Sequence, residues 1–313
     1  MKVLFAGTPL VAVDSLDALV KAGFDVAGVI TRPPARKGRS SKLVDSPVAE
    51  YAKAAGLPLF ETSRPSEPES LAWIRSLDAD LGVVVAYGAL LRPDVLNLPK
   101  LGWVNLHFSR LPDLRGAAPV QRALLRGDEV VGTTVFYLDE GMDTGPILST
   151  QEVSVLPLET SGELLDRLAH IGAEQLVQTV MQIDAGSATA VPQEHKADLE
   201  VASKLGREDG FVSFGDSAER TVNRIRAVSP APGAWTLDPN GKPLKVAQAS
   251  FSEQILPAGS LRLDGQQLLV GTGTQAIVLG KVAPAGKTWM NAADWLRGAR
   301  VGEDARLGTK VEG

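Results

Sequence analysis

Val3-Leu4-Phe5-Ala6-Gly7-Thr8-Pro9 decides the fold. Four apolar residues in a row make a strand buried on both faces. Gly7 turns that strand into residues 10–22, where apolar side chains recur at helical spacing as far as Gly23. A second apolar strand follows at 25–31. Strand, helix and strand in succession predict an α/β domain built on a parallel sheet.

Working outward, the spacing predicts a helix over 47–55, with Ser46 as N-cap and Pro47 at its first position. A second helix is expected over 67–77, and a buried strand at 81–86. Strands at 103–107 and 133–137 flank a helix at 118–126. Helical pattern runs over 161–184, and the polar stretch from Gln193 to Asp198 reads as a linker. Beyond Lys204 a single helix at 218–228 precedes short strands at 234–237, 244–246 and 268–270. Asn240-Gly241 and Asp264-Gly265 supply turns between them. This style predicts a smaller C-terminal β-barrel. The expected division is a catalytic domain at 1–189, a linker at 190–204 and a C-terminal domain at 205–313.

The 313 residues leave room for two domains, and 44% hydrophobic with 22% charged residues is ordinary globular composition. No cysteine is present, which excludes disulfides, thiolate metal sites and a cysteine nucleophile. With 3 histidines, a histidine-rich metal site is not expected. The N-terminus lacks the pattern of a signal peptide, and no run of about 18 apolar residues occurs, so a cytoplasmic protein with no membrane partner is expected.

The net charge of -5 argues by itself against a nucleic-acid partner. Divided, it reads differently. Residues 205–313 hold 13 basic and 11 acidic groups, which leaves 19 basic and 26 acidic in the rest. Within that acidic part, Arg32-Pro33-Pro34-Ala35-Arg36-Lys37-Gly38-Arg39-Ser40-Ser41-Lys42 carries five cations and no acid. Its prolines and glycine point to an exposed loop without regular structure, either merely solvated or suited to phosphate contact.

Chemistry is expected where Asn105-Leu106-His107 ends its strand, because ligands of α/β sheets bind beyond the carboxyl ends of strands. The strand period of two places Asn105 and His107 on one face. A carboxamide donor beside an imidazole suits acyl transfer: one can donate to a developing oxyanion, the other can move protons. Alternatively, His107 is a satisfied structural residue. Asp139-Glu140-Gly141-Met142-Asp143-Thr144-Gly145 is a glycine-rich acidic turn; Thr150 at the twelfth position rules out a calcium loop. A carboxylate from this turn could hydrogen-bond an imidazole. G-x-G-x-x-G and the P-loop pattern are both absent, which disfavours dinucleotide and P-loop nucleotide binding.

Together these stretches resemble the formyltransferases that use 10-formyltetrahydrofolate. The resemblance is carried by Phe5-Ala6-Gly7-Thr8-Pro9, Val84-Val85-Ala86-Tyr87-Gly88, Asn105-Leu106-His107, Ser109 with Leu111-Pro112, Arg115-Gly116-Ala117-Ala118-Pro119 and Asp143-Thr144-Gly145. Ser46-Pro47-Val48 belongs to the same set. It implies a Rossmann-like catalytic domain and a C-terminal barrel of oligonucleotide-binding (OB) type. Asn105, His107 and Asp143 match the family's catalytic trio. The backbone of Ala86, Tyr87 and Gly88 and the turn with Asp139 and Gly141 match its pterin site, and Ser109, Arg110, Leu111 and Pro112 its folate mouth. Phe108 and Arg110 depart from the family, which more often has a small and an apolar residue there.

The Arg-Gly-Ala-Ala-Pro run, the basic loop and the C-terminal extension resemble the branch that acts on tRNA. That implies a formyl group passing from 10-formyltetrahydrofolate to methionine on initiator methionyl-tRNA, with no metal, on a monomer. Arg39 matches an arginine that engages the acceptor arm, and Arg36, Lys37 and Lys42 would add backbone contacts. Lys204, Arg224, Arg226, Lys242, Lys245, Lys281 and Lys287 are the C-terminal candidates. An amino-sugar nucleotide or a ribonucleotide amine is the alternative acceptor; a non-catalytic RNA-binding protein and a nicotinamide dehydrogenase are further alternatives.

Overall fold

Val3, Leu4, Phe5 and Ala6 are all fully buried, as a strand covered on both faces requires. Their strand is the third of seven. The computed structural model describes residues 1–36, 42–194, 200–302 and 304–308. Backbone contacts divide the chain into two units: Met1–Gly116 with Val131–Val153 and Leu165–Val201, and Ala117–Val130 with Ser154–Leu164 and Ala202–Gly313.

In chain order the elements are β1 (Lys2–Gly7), α1 (Leu10–Lys21), β2 (Asp25–Thr31), β3 (Ala35–Arg36), β4 (Leu43–Val44), α2 (Pro47–Ala54), β5 (Leu59–Glu61), α3 (Pro68–Ser76), β6 (Leu81–Val85), α4 (Pro93–Leu96), β7 (Trp103–His107), α5 (Pro119–Arg126), β8 (Val130–Tyr137), β9 (Ile147–Ser154) and α6 (Ser161–Asp184). The sheet order is β5-β2-β1-β6-β7-β8-β9. From β5 to β7 the pairing is parallel, and β8 pairs antiparallel with β7. The expected α/β, mostly parallel sheet is therefore present. Ser46 caps α2 as its sequence predicts, accepting from the Ala49 N–H at 3.0 Å.

One face of the sheet gathers Leu4, Ala6, Ile30, Val84, Tyr87 and Trp103 with Ile74 of α3 in a single buried cluster. Each of the larger aliphatic side chains among them contributes about 1.5–3 kcal/mol by leaving water. Gly82 sits opposite Trp103 in the register, and a Cβ there would collide with the indole ring. We expect Gly82→Ala to cost about 2–3 kcal/mol through overpacking, read as a melting midpoint lowered by roughly 5–10 °C. An unchanged midpoint would show that the ring can slide aside.

The basic stretch differs from its expectation. Ala35–Arg36 pairs antiparallel with Leu43–Val44, so the ends of the loop form a short ribbon. Pro33-Pro34 biases the chain toward extended backbone, which is compatible with entering such a pairing. Arg36 and Lys42 are exposed, while Lys37 and Arg39 lie outside the described residues.

The second unit adds α7 (Ala218–Ala227), β10 (Trp235–Leu237), β11 (Pro243–Phe251), β12 (Leu261–Asp264), β13 (Gln267–Val270), β14 (Ile277–Pro284), β15 (Met290–Asn291) and α8 (Ala292–Ala299). Its strands form an antiparallel sheet in the order β10-β11-β14-β13-β12, with β15 beside β14. Val222 and Ile225 of α7 and Trp295 of α8 share one core with Leu244, Val246, Leu268, Ile277 and Leu279. Helix α8 adds to the expected short strands, and its Ala292, Trp295, Leu296 and Ala299 recur at helical spacing toward that core. It begins at Asn291, whose Oδ1 accepts from the N–H groups of Ala293 and Asp294.

Candidate active site

Asn105 and His107 stand on the same face of β7, at its carboxyl end. Val84 of β6 is level with Asn105, so Ala86, Tyr87 and Gly88 continue the chain just past the neighbouring strand end, beside His107. Two of these three have left-handed backbone, Ala86 at φ 48° and Gly88 at φ 79°. The Tyr87 side chain turns inward. Its hydroxyl donates to the Thr62 carbonyl at 2.6 Å, and burial pushes the phenol up to about 12, with Arg32 pulling weakly the other way. Tyr87 is thus a core residue, and its carbonyl accepts from the Thr8 hydroxyl at 2.8 Å.

His107 is buried, and its Nε2 lies 3.0 Å from the Leu114 carbonyl. A ring nitrogen facing a carbonyl must carry the proton, which directs Nδ1 away from Leu114. Asp143 Oδ2 lies 3.8 Å from that Nδ1. This is ion-pair range, beyond hydrogen-bond range. The expectation that a carboxylate hydrogen-bonds the imidazole is therefore corrected: the ring is oriented by Leu114. Asp143 Oδ2 is engaged by the Gly116 N–H at 2.8 Å. Asp143 faces the ring as a nearby charge. Both supports are in strained backbone, Leu114 at φ 54° and Asp143 at φ 52°. Such outliers cost about 1–3 kcal/mol each, and their surroundings must hold them.

The Asn105 carboxamide is the uncommitted group. Its Oδ1 is shut off from solvent and has no hydrogen-bond partner. A buried polar atom left unpaired costs about 1–3 kcal/mol.

The turn between β8 and β9 is built by its own residues. Asp139 Oδ1 accepts from the Gly141 N–H at 2.9 Å and from the Thr144 hydroxyl at 2.7 Å. Gly145 lies so close to the Tyr137 carbonyl that a Cβ would collide with it. The stretch after β7 is fixed in the same manner. The Ser109 hydroxyl donates to the Asp113 carbonyl at 2.6 Å, and the Thr134 hydroxyl donates to the Ser109 carbonyl at 2.7 Å. Leu111 is buried, and Pro112 follows it through a cis bond. Arg110 is ion-paired with Glu152 of β9 at 2.7 Å.

Residues near 191, read as part of a linker, are tied into this unit. Ile147 and Val191 exchange two backbone hydrogen bonds, of 2.7 and 2.8 Å. Gln193, 7% exposed, reaches both the Asp143 turn and Arg115. No local pattern in the sequence marks it, since a polar glutamine in a polar stretch carries no signal of burial. Among the described residues, no cluster of three or more His, Cys, Asp or Glu could hold a metal ion. None of their helices is long and apolar enough to cross a membrane.

The second unit has a cavity of about 890 Å³ lined in part by Arg226, Lys245, Lys281 and Trp289. None of Asn105, His107 and Asp143 lines it. Burial lowers the guanidinium of Arg226 below its usual range, against the raising effect of Glu159 and Glu219.

Comparison with known proteins gives two family matches: "Formyl transferase" over residues 1–180 and "Formyl transferase, C-terminal domain" over 204–300. The chain is 48% identical over 299 residues to the methionyl-tRNA formyltransferase of Arthrobacter sp. (strain FB24), covering 95% of this chain and 97% of that one. It is 46% identical over 311 residues to the methionyl-tRNA formyltransferase of Streptomyces coelicolor, covering 98% and 100%. In fold it is similar to an N-formyltransferase from Helicobacter canadensis, solved in complex with folinic acid and dTDP-3-aminofucose. The TM-score is 0.67 at 16% identity, over 89% of this chain and 98% of that one.

Proposed function

The chain belongs to the formyl transferase family, and from that premise we propose that it moves a formyl group from 10-formyltetrahydrofolate to the α-amino group of methionine on initiator methionyl-tRNA, for translation initiation. The identity of 46–48% along nearly the whole length of relatives with that activity carries this reading. The donor supplies the one-carbon unit; the chain supplies position and charge.

As the amine adds to the formyl carbon, negative charge builds on the formyl oxygen; the bond from that carbon to N10 then breaks, N10 takes up a proton as tetrahydrofolate leaves, and the amine gives one up. Asn105 and His107, on one face of β7, are the donors for that oxygen. His107 acts in its charged form, with Asp143 as the opposing charge 3.8 Å from Nδ1. Asp143 would help remove the amine proton through an intervening water. The left-handed backbone at Ala86 and Gly88 supports a pterin site at the end of β6, together with Tyr87, Asp139 and Gly141. Ser109, Leu111 and Pro112 shape the folate mouth through their backbone, with Arg110 at its edge. Arg36, Lys37, Arg39 and Lys42 form the tRNA-contacting loop, and the cations Arg226, Lys245 and Lys281 support the tRNA from the second unit. The enzyme works as a cytoplasmic monomer.

The deciding experiment is transfer of labelled formyl from 10-formyltetrahydrofolate to methionyl-initiator tRNA, with elongator methionyl-tRNA as control. No transfer to the initiator sinks the proposal; transfer only to an amino-sugar nucleotide moves the acceptor. Arg39→Ala is expected to raise KM for charged tRNA about tenfold by removing one charge-assisted phosphate contact. Its folate KM should stay unchanged, and a selective loss of folate binding would contradict the role of the loop.

A further inference from the structure

The Gln193 carboxamide makes four hydrogen bonds, each to the architecture around Asp143. Its Nε2 donates to the carbonyls of Asp143 at 2.9 Å and Gly145 at 2.8 Å. Its Oε1 accepts from Arg115 Nε at 3.2 Å and Nη2 at 2.7 Å. The next residue, Gly116, donates its N–H to Asp143 Oδ2. Asp143 is therefore held twice by the same short segment: its carboxylate directly through Gly116, and its main chain through Gln193 and Arg115.

Holding it twice has a purpose that holding it once does not. Asp143 sits at φ 52°, a conformation an L-residue leaves readily unless constrained. A single bond to the carboxylate leaves the backbone free to relax and swing the side chain about Gly116. Fixing the carbonyl as well determines where Oδ2 stands relative to His107 Nδ1, now 3.8 Å away.

We propose that Gln193 is a positioning residue for formyl transfer, one that locks the Asp143 backbone so that its carboxylate faces His107. The inference rests on the reading of His107 and Asp143 as partners in that reaction. Gln193 touches no reacting atom.

The test uses the full-length enzyme and the variants Gln193→Met and Gln193→Glu, alone and with Asp143→Asn. Methionine keeps the bulk and removes every hydrogen bond. We expect kcat to fall about 30-fold, since misplacement by about 1 Å costs up to 10²-fold, with both KM values within about threefold. Glutamate keeps an acceptor for Arg115 but sets a carboxylate against the two carbonyls. Its kcat should fall at least as far; a near-normal value would overturn the proposal, because pairing with Arg115 alone would then suffice.

Non-additivity is the further readout, one that a merely structural role would not move. On the Asp143→Asn background, Gln193→Met should lower kcat by less than about threefold. A full second 30-fold loss would show that Gln193 does not act through Asp143, and would also overturn the proposal. Melting midpoints check that each variant folds, and Gln193→Glu decides the question if the methionine variant does not. Were Asp143→Asn itself to leave kcat unchanged, the reading of the reaction centre would fail. A slow Asp143→Asn with fast Gln193 variants isolates the failure to this inference.

Discussion

Alanine at His107 or at Asn105 is expected to slow formyl transfer by about 10²- to 10³-fold, the usual loss when one preorganised oxyanion donor is removed. The Asn105 carboxamide has no internal partner to satisfy, so Asn105→Ala leaves no protein group newly unpaired. Its effect should fall on kcat with the melting midpoint nearly unchanged. His107→Ala removes the donor to the Leu114 carbonyl and leaves Asp143 without its facing cation, so a modest loss of stability should accompany the slower turnover. Affinity for charged tRNA should change by no more than about twofold, because a group that acts only in the transition state shows in kcat and not in ground-state binding. Either variant turning over at the parent rate would remove that residue from the mechanism.

Gly145→Ala is expected to be nearly as damaging without touching any reacting group. Its added methyl would overlap the Tyr137 carbonyl, which belongs to β8 and cannot yield without disturbing the sheet. The turn must move instead, and Asp143 stands two residues away. A displacement near 1 Å at a positioned carboxylate costs about 10²-fold in rate. The Gly145 carbonyl also accepts from Gln193, so the shift strains a second contact. Steady-state kinetics with a melting curve separate the two consequences: kcat about 10²-fold lower, and a midpoint lowered by a few degrees. Parent-like kcat would mean that the turn absorbs the methyl without carrying Asp143 along.

The β7 pair was legible because strand periodicity and the end-of-strand rule are local and need no partner to be known. Asp143 was legible as a carboxylate in a glycine-rich turn, but its relation to His107 was not. Whether a carboxylate bonds an imidazole depends on what else it bonds, and here Gly116, 27 residues earlier, takes the oxygen. Ser109 and Asp139 read as ligand contacts, and their side chains hold loop structure; polar residues that build turns and those that bind substrates share one composition. Tyr87 shows the reverse, a motif residue whose side chain belongs to the core. Gln193 escaped because its burial follows from pairing across the fold. The barrel-like style of the second unit was read from turn pairs. Helix α8 was legible too, since Ala292, Trp295, Leu296 and Ala299 recur at helical spacing behind the Asn291 cap, but it spans only two turns among short strands.

The bond between Arg115 and Gln193 spans 78 residues, while that between His107 and Leu114 spans 7. Closing the longer loop costs about 2 kcal/mol more in chain entropy, at roughly 0.6 kcal/mol per doubling of length. The two ends of the reaction centre thus differ in their cooperativity with the rest of the chain. The histidine end rests on a contact within one short stretch of polypeptide, whereas the main chain at the aspartate end is fixed only once residue 193 has returned to it. A chain cut short before that point keeps the Gly116 bond to the Asp143 carboxylate but loses the Gln193 bond to the Asp143 carbonyl. On the proposed reading, full activity waits on residue 193, although the last strand of the sheet ends at Ser154.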